Sequence, residues 1–422
     1  MNRRAIAKFS RRDADRFADY ETFLDRISRA IEPMLDGPPP DPTGLNFGAI
    51  KDGMHLARAL KQSGASLPDV FKMITRPATD VLDDWFESDA LKSTLATDAI
   101  IGAMASPSTP GTAYVLLHHV MGETNGRRGV WGYVRGGMGS LTKALAAAAE
   151  DLGVDILCEA DVSQITIESG RVTGVRLTDG RAIETVAVAS NADANITFRR
   201  LLRDEDLPPS FLEEVKTIRY DSASMKINLA LCELPDFTAC PGRLPGPQHQ
   251  GTIHVSPTME YIERAFDDAR QGRPSTNPIL ECTIPSVVDD SLAPPGKHVM
   301  SIFVQYAPYA LADGTWNDMK ETFADRCVDA LNEAAPNFKN SILFRQVISP
   351  LDLERDFALT GGNIFQGAMT LNQLGPARPV WGWSRYRTPI RGLYLCGAAA
   401  HPGGGIMGAC GRNAATQMNK DL

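Results

Sequence analysis

No stretch of the 422 residues approaches the roughly 18 consecutive apolar positions of a membrane-spanning helix, so no obligatory membrane span is expected. No C-x-x-C occurs, and the seven cysteines are scattered. That excludes a disulfide scaffold and favours a reducing compartment, the cytoplasm or, for a eukaryotic source, the mitochondrial matrix. The seven histidines lack metal-ligand spacing, so no metal site is expected. Basic residues are not in excess. The formal net charge is -8, which gives nucleic acid no basic surface to bind. No G-x-x-x-x-G-K-[ST] loop, internal repeat or low-complexity tract is present. What remains is an ordinary globular composition, 43% hydrophobic and 22% charged. Its length favours two or three structural units over one core. The basic start MNRRAIAKFSRR mildly resembles a transit peptide, but it leads straight into an amphipathic helix.

Residues 1–121 read as helices. Phe17, Tyr20, Leu24, Ile27 and Ile31 form the first stripe, with Asp13 as its cap. GPPPDPTG (37–44) reads as a stiff linker, and Pro77 as a helix opener. Another helix is expected over about 88–102. Tyr114 to Met121, including His118 and His119, is a short buried run, and 123–129 is a loop. A glycine loop follows at Arg135–Gly139. Ser140 is positioned to cap the next helix, whose stripe is Leu141, Leu145, Ala148 and Leu152. Ser169-Gly170 and Asp179-Gly180 are hairpin turns, so 161–189 reads as a three-stranded meander. Strands are expected at 223–231, 279–284 and 298–305, with helices at 257–271 and after Trp316. Residues 220–350 therefore read as an α+β unit.

The end of the chain carries the chemistry. Gly392 to Gly397 is a short buried strand, and His401 opens the glycine loop Gly403-Gly404-Gly405-Ile406-Met407-Gly408. A helix follows from about 409. The loop matches G-x-G-x-x-G literally. With 14 residues after it, no second strand follows, so it is not read as a pyrophosphate fingerprint. Glycines lacking Cβ atoms let backbone approach a flat ring. A helix N-terminus favours negative charge, such as the N1–C2=O2 side of a reduced flavin. A plain turn packing strand on helix is the alternative. His401 is a candidate acid–base group or a loop-fixing hydrogen bonder. Arg412 is a candidate cofactor contact or half of an ion pair. Trp131 and Tyr133 line a substrate face or belong to the core.

Taken together, VRGGMGSLTKALA (134–146), DVSQI (161–165) with SNAD (190–193), ECTIPSVVDDSLAPPGKHVMSIFVQYAP (281–308), LTGGNIFQGAMTLNQL (359–374) followed by Arg378-Pro379, and YRTPIRGLYLCGAAAHPGGGIMGACGRNAA (386–415) resemble the phytoene-desaturase-like FAD oxidoreductases. The branch they look most like is the pyridine nucleotide-disulphide oxidoreductase domain-containing protein 2 family. That resemblance implies a glutathione-reductase-like (two-dinucleotide-binding-type) FAD fold, α/β with an α+β substrate domain. Four segments follow from it: 1–128, helical substrate part; 129–200, the middle of the FAD domain; 201–385, α+β substrate domain; 386–422, the end of the FAD domain. It implies FAD as cofactor, with Gly136, Gly137, Val162, Gly397, Gly403, Gly404, Gly405, Gly408 and Arg412 near it. It also implies a desaturase or dehydrogenase taking hydride from a small apolar substrate, with oxygen or a quinone as electron acceptor. A homo-oligomer is compatible with it. Two departures stand out. The strand, G-x-G-x-x-G turn and helix that open such proteins have no counterpart here, so the fold is expected to be N-terminally incomplete. Gln366 stands where His is expected. The competing expectation is a flavin-free binding or assembly protein, or a fragment completed by another chain.

Overall fold

The computed structural model describes residues 2–39 and 47–422, and the side chains of 47–52 are not among what it describes. The linker reading for 37–44 therefore lies largely outside the described residues. The first long helix runs Arg11–Ile31. Its cap is Ser10, whose hydroxyl accepts the Asp13 N–H at 3.1 Å. Asp13 does not cap its own helix. Its buried carboxylate accepts the Glu87 and Ser88 N–H groups at 3.0 and 2.8 Å, at the start of helix Asp89–Ala96. A capping side chain has been recruited across 75 positions because the two helices pack at their ends. The expected 88–102 helix stops at Ala96 and tightens into a 3-10 turn, Thr97–Ala99. The 114–121 run is a helix, Thr112–Val120. Tyr20, Leu24, Ile27, Ile100, Leu116 and Leu117 form the helical core.

The 123–129 loop is a small hairpin, β1 (Glu123–Thr124) and β2 (Arg127–Arg128). The meander follows as β3 (Val162–Glu168), β4 (Arg171–Leu177) and β5 (Ala182–Glu184), turning where expected. The chain then leaves it. β6 (Val188–Ser190) pairs in parallel with the last strand. An antiparallel sheet of five strands is built from β7 (Ser224–Leu231), β8 (Ile253–Val255), β9 (Ile279–Thr283), β10 (His298–Gln305) and β11 (Ile342–Ile348), in the order β11-β7-β10-β9-β8. β8 and β11 carry no turn signal strong enough to read from sequence. One face of this sheet, with Ile227, Leu280, Cys282 and Ile302, packs on Phe323, Cys327 and Leu331 of helix Trp316–Ala334. The other face turns toward the helical layer. There Gln305 accepts the Gly102 N–H and donates to the Ile100 carbonyl.

The final strand is β12 (Leu393–Leu395), followed by helix Ala409–Asp421. The Val172 N–H donates to the Arg391 carbonyl at 3.0 Å, which ties the meander to this closing segment. Ile165, Phe198, Phe211, Leu393 and Leu395 share its core.

One expectation fails clearly. Helix Gly139–Asp151 buries none of its residues. Leu145 is 64% exposed, and Leu152 just beyond it is 85%. Ser140 lies inside that helix rather than capping it. The spacing was right for an amphipathic helix, but nothing among the described residues covers the stripe. Trp131 and Tyr133 are likewise exposed rather than core.

Candidate active site

β12 enters the sheet beside β6, and the Cys396 N–H extends the ladder to the Ser190 carbonyl at 2.9 Å. Gly397 has no alternative here, because a Cβ would lie 2.3 Å from the Asn191 carbonyl oxygen. From this point the loop is held on both sides. Arg378 donates from Nε to the Ala398 carbonyl at 2.8 Å, and from its terminal nitrogens to the carbonyls of Phe365, Gly367 and Gln373. No carboxylate pairs with it among the described residues. Burial lowers the guanidinium to about 10, so it stays charged at neutral pH. Gln366 bridges the same two segments: its amide donates to the Asn191 carbonyl and accepts the Ala399 N–H. The position where His was expected is thus a structural brace.

His401 is buried, and its Nε2 donates to the Met34 carbonyl at 2.9 Å. Burial pushes it down to about 4, so the ring is neutral at physiological pH. Its geometry is that of a loop-fixing residue. His118, on helix Thr112–Val120, does the same from the opposite side, with Nε2 2.7 Å from the Gly404 carbonyl. Burial lowers its pKa too. No local pattern signals that this histidine reaches the loop, since 286 positions separate the partners. Cys410 donates its thiol to the Gly403 carbonyl. Asn413 donates to the Leu35 carbonyl and the Tyr386 hydroxyl.

Gly403 and Gly404 are therefore buried and pinned, whereas Gly405 to Gly408 are exposed. Gly408 has φ 65°, and a Cβ there would meet nothing within 4 Å. Behind it the N–H groups of Ala409, Cys410 and Gly411 have no hydrogen-bond partner among the described residues. The arrangement is a rigid inner half and an open outer half that offers donors and a positive helix end. Such an arrangement suits a flat, partly anionic ring. Arg412 points away from it into an exposed ion pair with Asp36.

The other sequence candidates lie elsewhere. The Gly136 N–H is held by the Asp289 carboxylate at 2.7 Å, beyond the end of β9, and Gly137 sits next to Leu292. Val162 opens β3, half-buried opposite Leu177. The structure gathers His401, Gly397, Gly403, Gly404, Gly405 and Gly408 into one loop, and Arg412 into the helix behind it. Among the described residues no group of three or more His, Cys, Asp or Glu is arranged to hold a metal ion, and no helix is long and apolar enough to cross a membrane.

Comparison with known proteins gives a consistent result. The family of flavin containing amine oxidoreductases matches residues 21–419. The mouse pyridine nucleotide-disulfide oxidoreductase domain-containing protein 2 is 47% identical across the whole chain, which spans 75% of that protein. A lycopene-forming phytoene desaturase from a Paracoccus strain is 28% identical over 74% of the chain and 58% of its own length. Among solved structures, an oxidoreductase from Methanosarcina mazei superposes with a TM-score of 0.54 at 19% identity, covering 89% of this chain and 73% of that one. That likeness supports the fold alone.

Proposed function

Because the chain belongs to the flavin containing amine oxidoreductase family, we propose that it is an FAD-dependent oxidoreductase of desaturase or dehydrogenase type, acting on a largely apolar organic substrate. A bound flavin supplies the hydride acceptor, at N5. The chain's own residues shape the place for it. Gly403 and Gly404 let the backbone pass close beneath a ring, pinned by His118, His401 and Cys410. Gly405 and Gly408 keep the outer side clear of Cβ atoms. The free N–H groups opening helix Ala409–Asp421, with the Arg378 cation beneath Gly403, favour negative charge developing on a reduced ring. Gly397 lies where the strand hands over to this loop. Val162 with the meander, and Gly136 with Gly137, are assigned to the remoter parts of the cofactor. The domain division that goes with this reading is 129–200 with 386–422 for FAD, in a glutathione-reductase-like arrangement, and 1–128 with 201–385 for substrate. Oxygen or a quinone is the proposed electron acceptor.

The observation that carries the reading is the half-rigid, half-open glycine loop in front of unpaired helix N–H groups. The purified chain incubated with FAD and desalted is expected to absorb near ~450 nm and to bleach on reduction, as flavin chemistry requires. A colourless product that cannot be reconstituted overturns the reading and returns the flavin-free alternative.

A further inference from the structure

Beneath the glycine loop a buried charge lacks its counter-ion. A guanidinium carries five N–H donors. Four of those on Arg378 are committed, one from Nε to the Ala398 carbonyl and three from the terminal nitrogens to the carbonyls of Gln373, Phe365 and Gly367. The fifth, on Nη1, has no acceptor among the described residues. All four partners are neutral, and Arg378 is only 2% exposed. The ionisable groups close enough to act on it are Tyr114, Tyr220 and Cys410. Burial pushes each of them up, so they are neutral at physiological pH. Carbonyl dipoles solvate a buried cation but leave its full charge in place.

Beside this side chain lies a cavity of about 10 Å3, bounded by Arg378, Gln366 and Gln373 among polar side chains. That is room for one water-sized occupant. The Gln373 amide is fully spent: its oxygen accepts the Arg219 N–H, and its nitrogen donates to the Arg219 and Ala368 carbonyls. Gln366 donates one amide N–H to the Asn191 carbonyl, and its second has no acceptor among the described residues. No carboxylate lines the cavity. Ala194, Ile218, Pro379 and Ala399 give it an aliphatic wall. It therefore offers two uncommitted N–H donors, one of them on a cation, against carbon. A water would fill the space and leave the charge unbalanced. A small anion fills the space and balances it, through hydrogen bonds strengthened by charge.

We infer that this cavity is a binding site for one small monovalent anion, chloride under ordinary conditions, held by Arg378 Nη1 and Gln366 Nε2. The ion completes the tie between residues 365–378 and the entrance to the glycine loop at Ala398 and Ala399. The inference makes no use of a flavin and stands whether or not the chain takes one.

The test is urea unfolding of the full chain at constant ionic strength, with chloride exchanged for gluconate, which is too large for the cavity. Raising chloride from about 1 to about 100 mM is expected to lower the unfolding equilibrium constant about tenfold and in a saturable way, as a Kd on the order of 10 mM gives. Gln366→Glu supplies the anion from the chain itself, so its unfolding is expected to be indifferent to the exchange. Crystals of the wild-type chain grown in bromide are expected to show an anomalous peak beside Arg378, a readout that does not depend on any variant folding. Equal stability in chloride and gluconate overturns the inference. So does full chloride dependence in Gln366→Glu, or bromide found at the surface alone.

Discussion

The two faces of the five-stranded sheet have opposite fates. On one, Ile227, Leu280, Cys282 and Ile302 are closed off by Phe323, Cys327 and Leu331. On the other, Lys226 is exposed, and Asn228, Glu281 and Phe303 are half-buried. The strands are shared, and alternation puts successive residues on opposite faces. Alternation therefore tells which residues travel together, and the opposing layer decides how far they are buried.

Four measurements test this contrast. Phe323→Ala, on the closed side, should cost about 3–5 kcal/mol in urea unfolding, because it leaves a cavity in a packed layer. A loss near zero would mean the helix is not seated on the sheet. Glu281→Gln, on the open side, should have a pH-dependent effect. The folded carboxyl keeps its proton up to about 8, whereas the unfolded one loses it near 4.5. Between those values the folded state binds more protons, so its stability falls as pH rises. The variant lacks this loss. Its stability relative to wild type should grow from pH 5 to pH 8 by on the order of 2 kcal/mol, allowing for the partial exposure of Glu281. His119 and His254 titrate alike in both proteins and cancel in the difference. A pH-independent difference would show Glu281 already paired. Leu145→Glu, on helix Gly139–Asp151, should change chemical stability by within about 0.5 kcal/mol. A large loss would reveal that this stripe is covered in solution. Lys226→Ala should be the smallest effect, within about 0.3 kcal/mol by thermal melting.

Much of the architecture was legible. The hairpin turns at 169–170 and 179–180, strands β7, β9 and β10, and helix Trp316–Ala334 lie where periodicity puts them. The family was legible too, because its motifs follow in order along the chain. What local pattern could not carry is distance. Asp13 caps a helix 75 positions away, and His118 reaches Gly404 across 286. Gln366 and Arg378 braid two loops through backbone carbonyls, which no side-chain spacing announces. The stripe of helix Gly139–Asp151 shows the converse error, since a pattern fit for burial has no layer above it among the described residues.

Arg378 binds only backbone carbonyls and is sealed from solvent, whereas Arg412 meets Asp36 at the surface. Dissolved ions screen exposed pairs and scarcely reach sealed ones. Brine should therefore loosen the tie between the C-terminal helix and Asp36 while the tie on the segment leading into the glycine loop holds, making that segment the more salt-tolerant of the two.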